Sequence, residues 1–231
     1  MRGYGQYCPI ALAAEIFAER WTPIIIRNLY LGCGRFNEIL DGAPGLPRSV
    51  LSQRLRLLER TGVVHRTQAG RSTAYSLSDS GHELAQVCLA LGAWGARWRD
   101  VRPEDQDPYL ALWTLCRLIA PDTLPRPRIV VQFHITGRSP PNRFWLVLST
   151  GGNEVCAHPP GYTEDGQVTT DTASLIRWYA GEMTLAAAQR SGGMSVTSPA
   201  WLTRQLAGWG RLNPYAHSKG ADQVAPIANQ S

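Results

Sequence analysis

In the stretch PRSVLSQRLRLLERTGVVHR, residues 47–66, Ser49, Ser52, Gln53, Arg56 and Arg60 gather on one side when the chain is wound at about 100° per residue, and Leu51, Leu55 and Leu58 gather on the other. Hydroxyl, carboxamide and guanidinium groups on one helical face are the groups that meet phosphate oxygens and base edges in a major groove. The leucines supply the apolar side that fastens such a helix to a core. A solvated amphipathic helix with a basic outer side satisfies the same pattern, so the surrounding segments must decide between the two.

Charge favours a polyanion. Residues 20–71 hold nine arginines against Glu38, Asp41 and Glu59, a net of +6 in a chain whose total is +5. The rest is close to neutral, and a basic charge confined to one segment is an electrostatic footprint for nucleic acid. Lys219 is the only lysine, so arginine is a habit of the whole chain and carries no preference for guanine by itself.

Other chemistry finds little support. His-Glu-x-x-His, Cys-x-x-Cys, a phosphate loop and Gly-x-Ser-x-Gly are all missing from the sequence. The histidines His65, His82, His134, His158 and His217 are dispersed, and AHPPGY around His158 reads as a turn. No catalysis, metal or cofactor is expected. The cysteines Cys8, Cys33, Cys88, Cys116 and Cys156 are odd in number and scattered, which argues against a disulfide framework and for a reducing cytoplasm. The apolar N-terminal stretch is broken by Glu15 and Glu19 and lacks a small-residue cleavage site, unlike a secretory leader. No apolar run is long enough to span a bilayer, so no membrane partner is expected.

The elements that must position the arginine-bearing segment follow from periodicity and punctuation. Helices are predicted over 9–20, over 22–31 with Thr22 as cap and Pro23 in the first turn, and over 35–40, closed by DGAPG. A fourth helix runs over 47–61. VVHRTQ and STAYSLS form a hairpin around residues 69–71, and a long helix capped by Ser78 or Asp79 reaches Trp98. A short helix, a tight turn, a second helix and a hairpin carrying Arg66 and Arg71 make a winged helix-turn-helix. Residues 1–99 are read as this domain, 100–109 as a linker, 110–212 as a second domain and 213–231 as a disordered tail.

The run CPIALAAEIFAERWTPIIIRNLYLGCGRFNEIL, with GLPRSVLSQRLRLLERTGVVHR and AYSLSDSG after it, resembles the HxlR family of bacterial winged-helix regulators over residues 7–98. The shared features are Cys-Pro before the first helix, Arg-Trp-Thr, Arg-Phe-x-Glu-Ile, Leu-Ser-x-Arg-Leu-x-x-Leu-Glu and Tyr-Ser-Leu-Ser. The resemblance implies a homodimer bound to a near-palindromic operator in double-stranded DNA. It places Arg48, Ser49, Ser52, Gln53 and Arg56 on the recognition helix, and Arg66 and Arg71 on a wing spanning 63–77. The tip TQAGRS is shorter than the proline-rich wing common in that family. Some members sense oxidants through a cysteine near the first helix, which makes Cys8 a candidate redox residue; the alternative is a small residue packed at a helix start. On the long helix, Leu84, Val87, Cys88, Leu91, Trp94 and Trp98 form a stripe for a second subunit or for the other domain of the same chain.

In the second half, a helix is predicted over 110–120, followed by strands in PRPRIVVQFHIT, NRFWLVLST, NEVCAHP and GQVTTD. Helices are expected over 172–179, 184–190 and 199–210, with a short strand in GMSVTS. Together they suggest an antiparallel sheet covered by helices, and the whole chain is α+β. The segment TTDTASLIRWYAGEMTLAAAQRSGGMSVTSPAWLTRQL resembles the end of the sterol carrier protein type 2 fold. That likeness implies a small apolar or lipid-like ligand near Phe133, Trp145, Trp178, Tyr179 and Met183; rings that merely fill a core are the alternative. Two functions compete: a regulator with a ligand-sensing second domain, and a lipid or small-molecule carrier whose first half only mediates assembly.

Overall fold

The computed structural model describes residues 4–70 and 72–216. Arg71 and residues 217–231 of the predicted tail lie outside the described residues. Two compact units divide the chain, Met1–Gly92 and Ala93–Ser231.

In the first unit, α1 spans Pro9–Phe17, α2 Thr22–Tyr30, α3 Phe36–Asp41 and α4 Arg48–Arg60. The hairpin β1 (Val64–Ala69) and β2 (Ser72–Leu77) follows, then α5 (Asp79–Trp98), which carries on into the second unit. Leu51, Leu55 and Leu58 are buried, as are Ile25, Ile26 and Leu29 of α2 and Ile39 of α3, so the leucine stripe of α4 faces the core of this unit. Thr22 is not the cap expected for α2. It is the first residue of that helix, fully buried, and Trp21 occupies the cap position. Helix α1 stops at Phe17 rather than at residue 20.

In the second unit, α6 (Pro108–Leu118) begins inside the predicted linker. The Asp107 side chain caps it by accepting the Tyr109 N–H at 2.9 Å. Pro108, inside the segment read as linker, therefore stands in the first turn of a helix. The strands β3 (Arg128–Thr136), β4 (Arg143–Ser149), β5 (Glu154–Cys156), β6 (Gly166–Asp171) and β7 (Met194–Thr197) form one sheet in the order β5-β4-β3-β6-β7. Helices α7 (Thr172–Tyr179), α8 (Leu185–Arg190) and α9 (Ala200–Trp209) complete the unit. The expectation of an antiparallel sheet is corrected: β6 pairs with β3 in parallel, Phe133 opposite Val168, while the other three pairings are antiparallel. Alternation along a strand reports which face is buried and says nothing of its neighbour's direction. Residues 157–165 carry the chain from the β5 edge back to β3. There the Asp165 N–H donates to the Val130 carbonyl at 2.8 Å, and its carboxylate accepts the Val130 N–H at 2.9 Å. Beyond α9, Asn213 is buried and Tyr215 N–H donates to its side chain at 2.9 Å, so an organised turn extends past the predicted start of the tail.

Candidate nucleic-acid interface

The two sides of α4 differ as their residue types require. Leu51, Leu55 and Leu58 are at most 1% exposed. Ser49, Gln53, Arg56 and Arg60 are exposed on the opposite side, and Arg48 is exposed at the start of the helix. Ser52 is half-buried and its hydroxyl donates to the Arg48 carbonyl at 3.0 Å, a local bond that aligns it with its own helix. Arg54 lies between the two sides. Its guanidinium meets the Glu19 carboxylate at 2.7 Å, which removes it from the exposed set.

The helix before the turn is held by a polar node that the sequence reading missed. The Asn28 carboxamide, fully buried on α2, donates to the Ile39 carbonyl of α3 at 2.8 Å. Its oxygen accepts from Arg27 Nε at 3.0 Å, and the same guanidinium donates to the Gly42 carbonyl in the turn. A buried amide with both ends partnered fixes the angle between two helices better than apolar contact alone. The signal was present: Asn28 interrupts the apolar run IIIRNLY, where a polar residue needs an internal partner. At the start of α3, the Arg35 N–H donates to the Glu38 carboxylate at 3.0 Å.

The hairpin is pinned at its base. Tyr75 N–H donates to the Gly34 carbonyl at 2.8 Å, which attaches β2 to the loop before α3. The Ser78 hydroxyl donates to the Gly62 carbonyl at 2.6 Å and accepts the Gly81 N–H at 3.1 Å, which joins hairpin, α4 end and α5 start. The strands pair as far as Ala69 with Ser72, and Gly70 takes a φ of 60°, in the left-handed region. Arg66, opposite Tyr75 in the register, is exposed. Arg71, the other wing residue expected to touch DNA, lies outside the described residues.

The five residues expected to hold a ligand are not brought together. Phe133 and Trp178 are buried in the cluster between sheet and helices, their rings 6.4 Å apart, with Tyr179 and Met183 packed at its margin. Trp145 lies with Val130 and Val147 in a separate cluster, and its indole donates to Glu164 at 2.7 Å. Its neighbours on β4, Phe144 and Leu146, join Phe133, so alternation sends Trp145 to the other face. Cys8 is half-buried at the cap position of α1, where its side chain makes no capping bond. Among the described residues, no group of three or more His, Cys, Asp or Glu side chains is placed to hold a metal ion, and no helix is long and apolar enough to cross a membrane.

A family model described as HxlR-like helix-turn-helix matches residues 16–103. The HTH-type transcriptional regulator YdeP of Bacillus subtilis is 34% identical over 96 residues, which is 40% of this chain and 75% of that protein. The HTH-type transcriptional regulator YvaP of the same organism is 36% identical over 99 residues, 41% of this chain and 92% of that protein. Among solved structures, the redox regulator HypR in its oxidized form is 31% identical, covers 41% of this chain and 100% of that one, and superposes with a TM-score of 0.39.

Proposed function

The chain belongs, through residues 16–103, to the HxlR-type helix-turn-helix transcriptional regulators, and from that membership we propose that it is a homodimer that binds a near-palindromic operator in double-stranded DNA. The relatives bear the names of transcriptional regulators, a non-enzymatic role. In this reading α4 enters the major groove. Arg48, Ser49, Ser52, Gln53 and Arg56 meet bases and phosphates, and the hairpin carries Arg66 and Arg71 alongside. The observation that carries it is the division of α4: a leucine stripe sealed in the core and a serine-, glutamine- and arginine-bearing side open to solvent.

Dimerisation rests on α5. Val87, Leu91, Trp94 and Trp98 recur at spacings of four, three and four, and each is between 47% and 66% exposed. A continuous apolar stripe of that kind is what a second copy of the chain covers. Two recognition helices about 34 Å apart then meet successive major grooves on one side of the duplex.

Fluorescence anisotropy of the full chain, on a duplex selected from genomic fragments, tests the reading at two salt concentrations. Nanomolar binding to the selected duplex, much weaker binding to a scrambled duplex and a steep loss with salt are expected. Equal, weak binding to both would return the chain to the carrier function, with the first half serving assembly alone.

In the second domain, the reading includes a sterol-carrier-like fold and a small apolar or lipid-like effector bound near Phe133, Trp178, Tyr179 and Met183. One feature supports it: the indole N–H of Trp178 is buried without a hydrogen-bond partner among the described residues, a donor that a ligand oxygen would satisfy. Titration with a medium-chain fatty acid, followed by tryptophan emission and by operator affinity, tests it; unchanged emission argues for a packed core. For Cys8, comparison of operator binding by wild type and Cys8→Ser after oxidant treatment tests the thiol switch, and an identical response removes it.

A further inference from the structure

The first residue of α4 does not stand free of the helix before it. The Arg48 guanidinium carbon lies 5.0 Å from the centre of the Phe36 ring, and Arg48 Nη2 donates to Asn37 Oδ1 at 3.1 Å. Phe36 and Asn37 are the first two residues of α3. The guanidinium therefore lies over an aromatic ring, and one of its N–H groups is directed by a carboxamide. Arg56, by comparison, projects from the exposed side of α4.

The consequence concerns what each arginine does best. A phosphate accepts a mobile cation from many directions, but the O6 and N7 acceptors of guanine require the donor plane to lie in the plane of the base. A guanidinium held over a ring and hydrogen-bonded at one nitrogen has lost much of its rotamer freedom before DNA arrives, so less is lost on binding. Residues at the start of a recognition helix are the ones that reach base edges. We propose that Phe36 and Asn37 are positioning residues for Arg48, and that Arg48 reads one guanine in each operator half-site. This rests on α4 being the DNA-reading helix.

The experiment is in vitro selection from a random duplex library with the full chain and with Arg48→Ala, Asn37→Ala, Phe36→Leu and Phe36→Tyr. Asn37 is exposed, so its replacement leaves the fold intact, and melting curves check this for each variant. Wild type is expected to select a guanine at a fixed place in each half-site. Arg48→Ala, Asn37→Ala and Phe36→Leu are expected to lose preference at that one position while keeping the others, and Phe36→Tyr to retain it. In affinity, Asn37→Ala is expected to weaken the selected duplex about three- to tenfold in wild type and to change nothing in the Arg48→Ala background, the mark of two residues acting through one contact. Guanine preference intact in Asn37→Ala and Phe36→Leu overturns the proposal. So does a weaker salt dependence with an unchanged base preference, which assigns Arg48 to a phosphate. If wild type selects no sequence at all, the assignment of α4 itself fails, an outcome distinct from both.

Discussion

The Arg54 guanidinium lies 2.7 Å from the Glu19 carboxylate, joining α4 to the turn after α1. The two side chains are 11% and 31% exposed, so the pair is partly withdrawn from water. Removal of either partner leaves a charge in a setting poorer than solvent. Glu19→Ala is expected to lower the unfolding free energy by about 1–2 kcal/mol, read from urea denaturation. The double change Glu19→Leu with Arg54→Met is expected to be milder than either single change, because no charge is then stranded.

Gly81 sets the approach of α5 to the hairpin. A Cβ there would lie 2.2 Å from the Val63 carbonyl oxygen and 3.1 Å from Leu77 Cβ. Neither backbone nor core can yield that far at small cost. Gly81→Ala is expected to destabilise the protein by more than about 2 kcal/mol. Gly95→Ala, on the same helix but with nothing beyond its chain neighbours and the helix's own backbone within 4 Å of the added methyl, is expected to leave stability unchanged or raise it by up to about 1 kcal/mol. Thermal unfolding of the two variants side by side gives the comparison.

Much of the first unit was legible in the sequence because its rules are local. The period of Leu51, Leu55 and Leu58, the glycines closing helices and the β-prone runs flanking residues 69–71 each speak within a few residues. Contacts across long separations were not legible. Nothing near Asn28 names Ile39 as its partner, and nothing near Arg48 names Phe36. The parallel pairing of β3 with β6 likewise depends on where residues 157–165 return the chain. Glu164 anchors that return by accepting from Trp145 at 2.7 Å, Gln132 at 2.9 Å and Gln167 at 2.7 Å, a convergence of three strands on one carboxylate. Trp145 was assigned to a ligand cluster by residue type, and alternation relative to Phe144 was the signal that places it elsewhere.

The exposed stripe on α5 gives a test of assembly. Leu91 is 47% exposed, so a charge there is compatible with the folded chain. Placed against a second copy, the same charge loses its water without a partner. Leu91→Glu is expected to shift sedimentation from dimer to monomer and to weaken operator binding by about tenfold or more by removing the second half-site. A dimer that persists in Leu91→Glu would move the interface off this helix.

Burial raises three thiols, Cys156 among them, where the Glu154 carboxylate adds to the effect. Cys88 is pushed from 9.0 to about 11, with Arg27 opposing, and its sulfur lies 3.7 Å from the Pro23 carbonyl oxygen. Cys116 is pushed to about 12 by burial, with Arg117 opposing. Both stay protonated near neutrality, so iodoacetamide at about pH 8 is expected to label them far more slowly than in urea-unfolded protein, as followed by mass spectrometry. The folded state holds these protons more tightly than the unfolded chain. Their contribution to stability is therefore complete below pH 9.0 and declines as pH rises toward about 11 and 12. The stability difference between wild type and Cys88→Ala, measured across that alkaline range, is expected to fall accordingly.

Arg56 offers the sharpest measure of α4 as a reading helix. It is exposed, one turn beyond Ser52 and three residues beyond Gln53, while the buried Leu55 beside it holds the backbone in place. Truncation removes no packing, so Arg56→Ala is expected to leave the melting temperature within about a degree. On the selected duplex it is expected to cost about 1–3 kcal/mol in binding. The salt dependence separates the two kinds of contact. A phosphate contact lowers the slope of log affinity against log salt by about one and weakens scrambled duplex in proportion, whereas a base contact leaves the slope nearly unchanged and narrows the gap between selected and scrambled duplex. Arg56→Ala with unaltered affinity for both duplexes would mean that the open side of α4 faces something other than DNA.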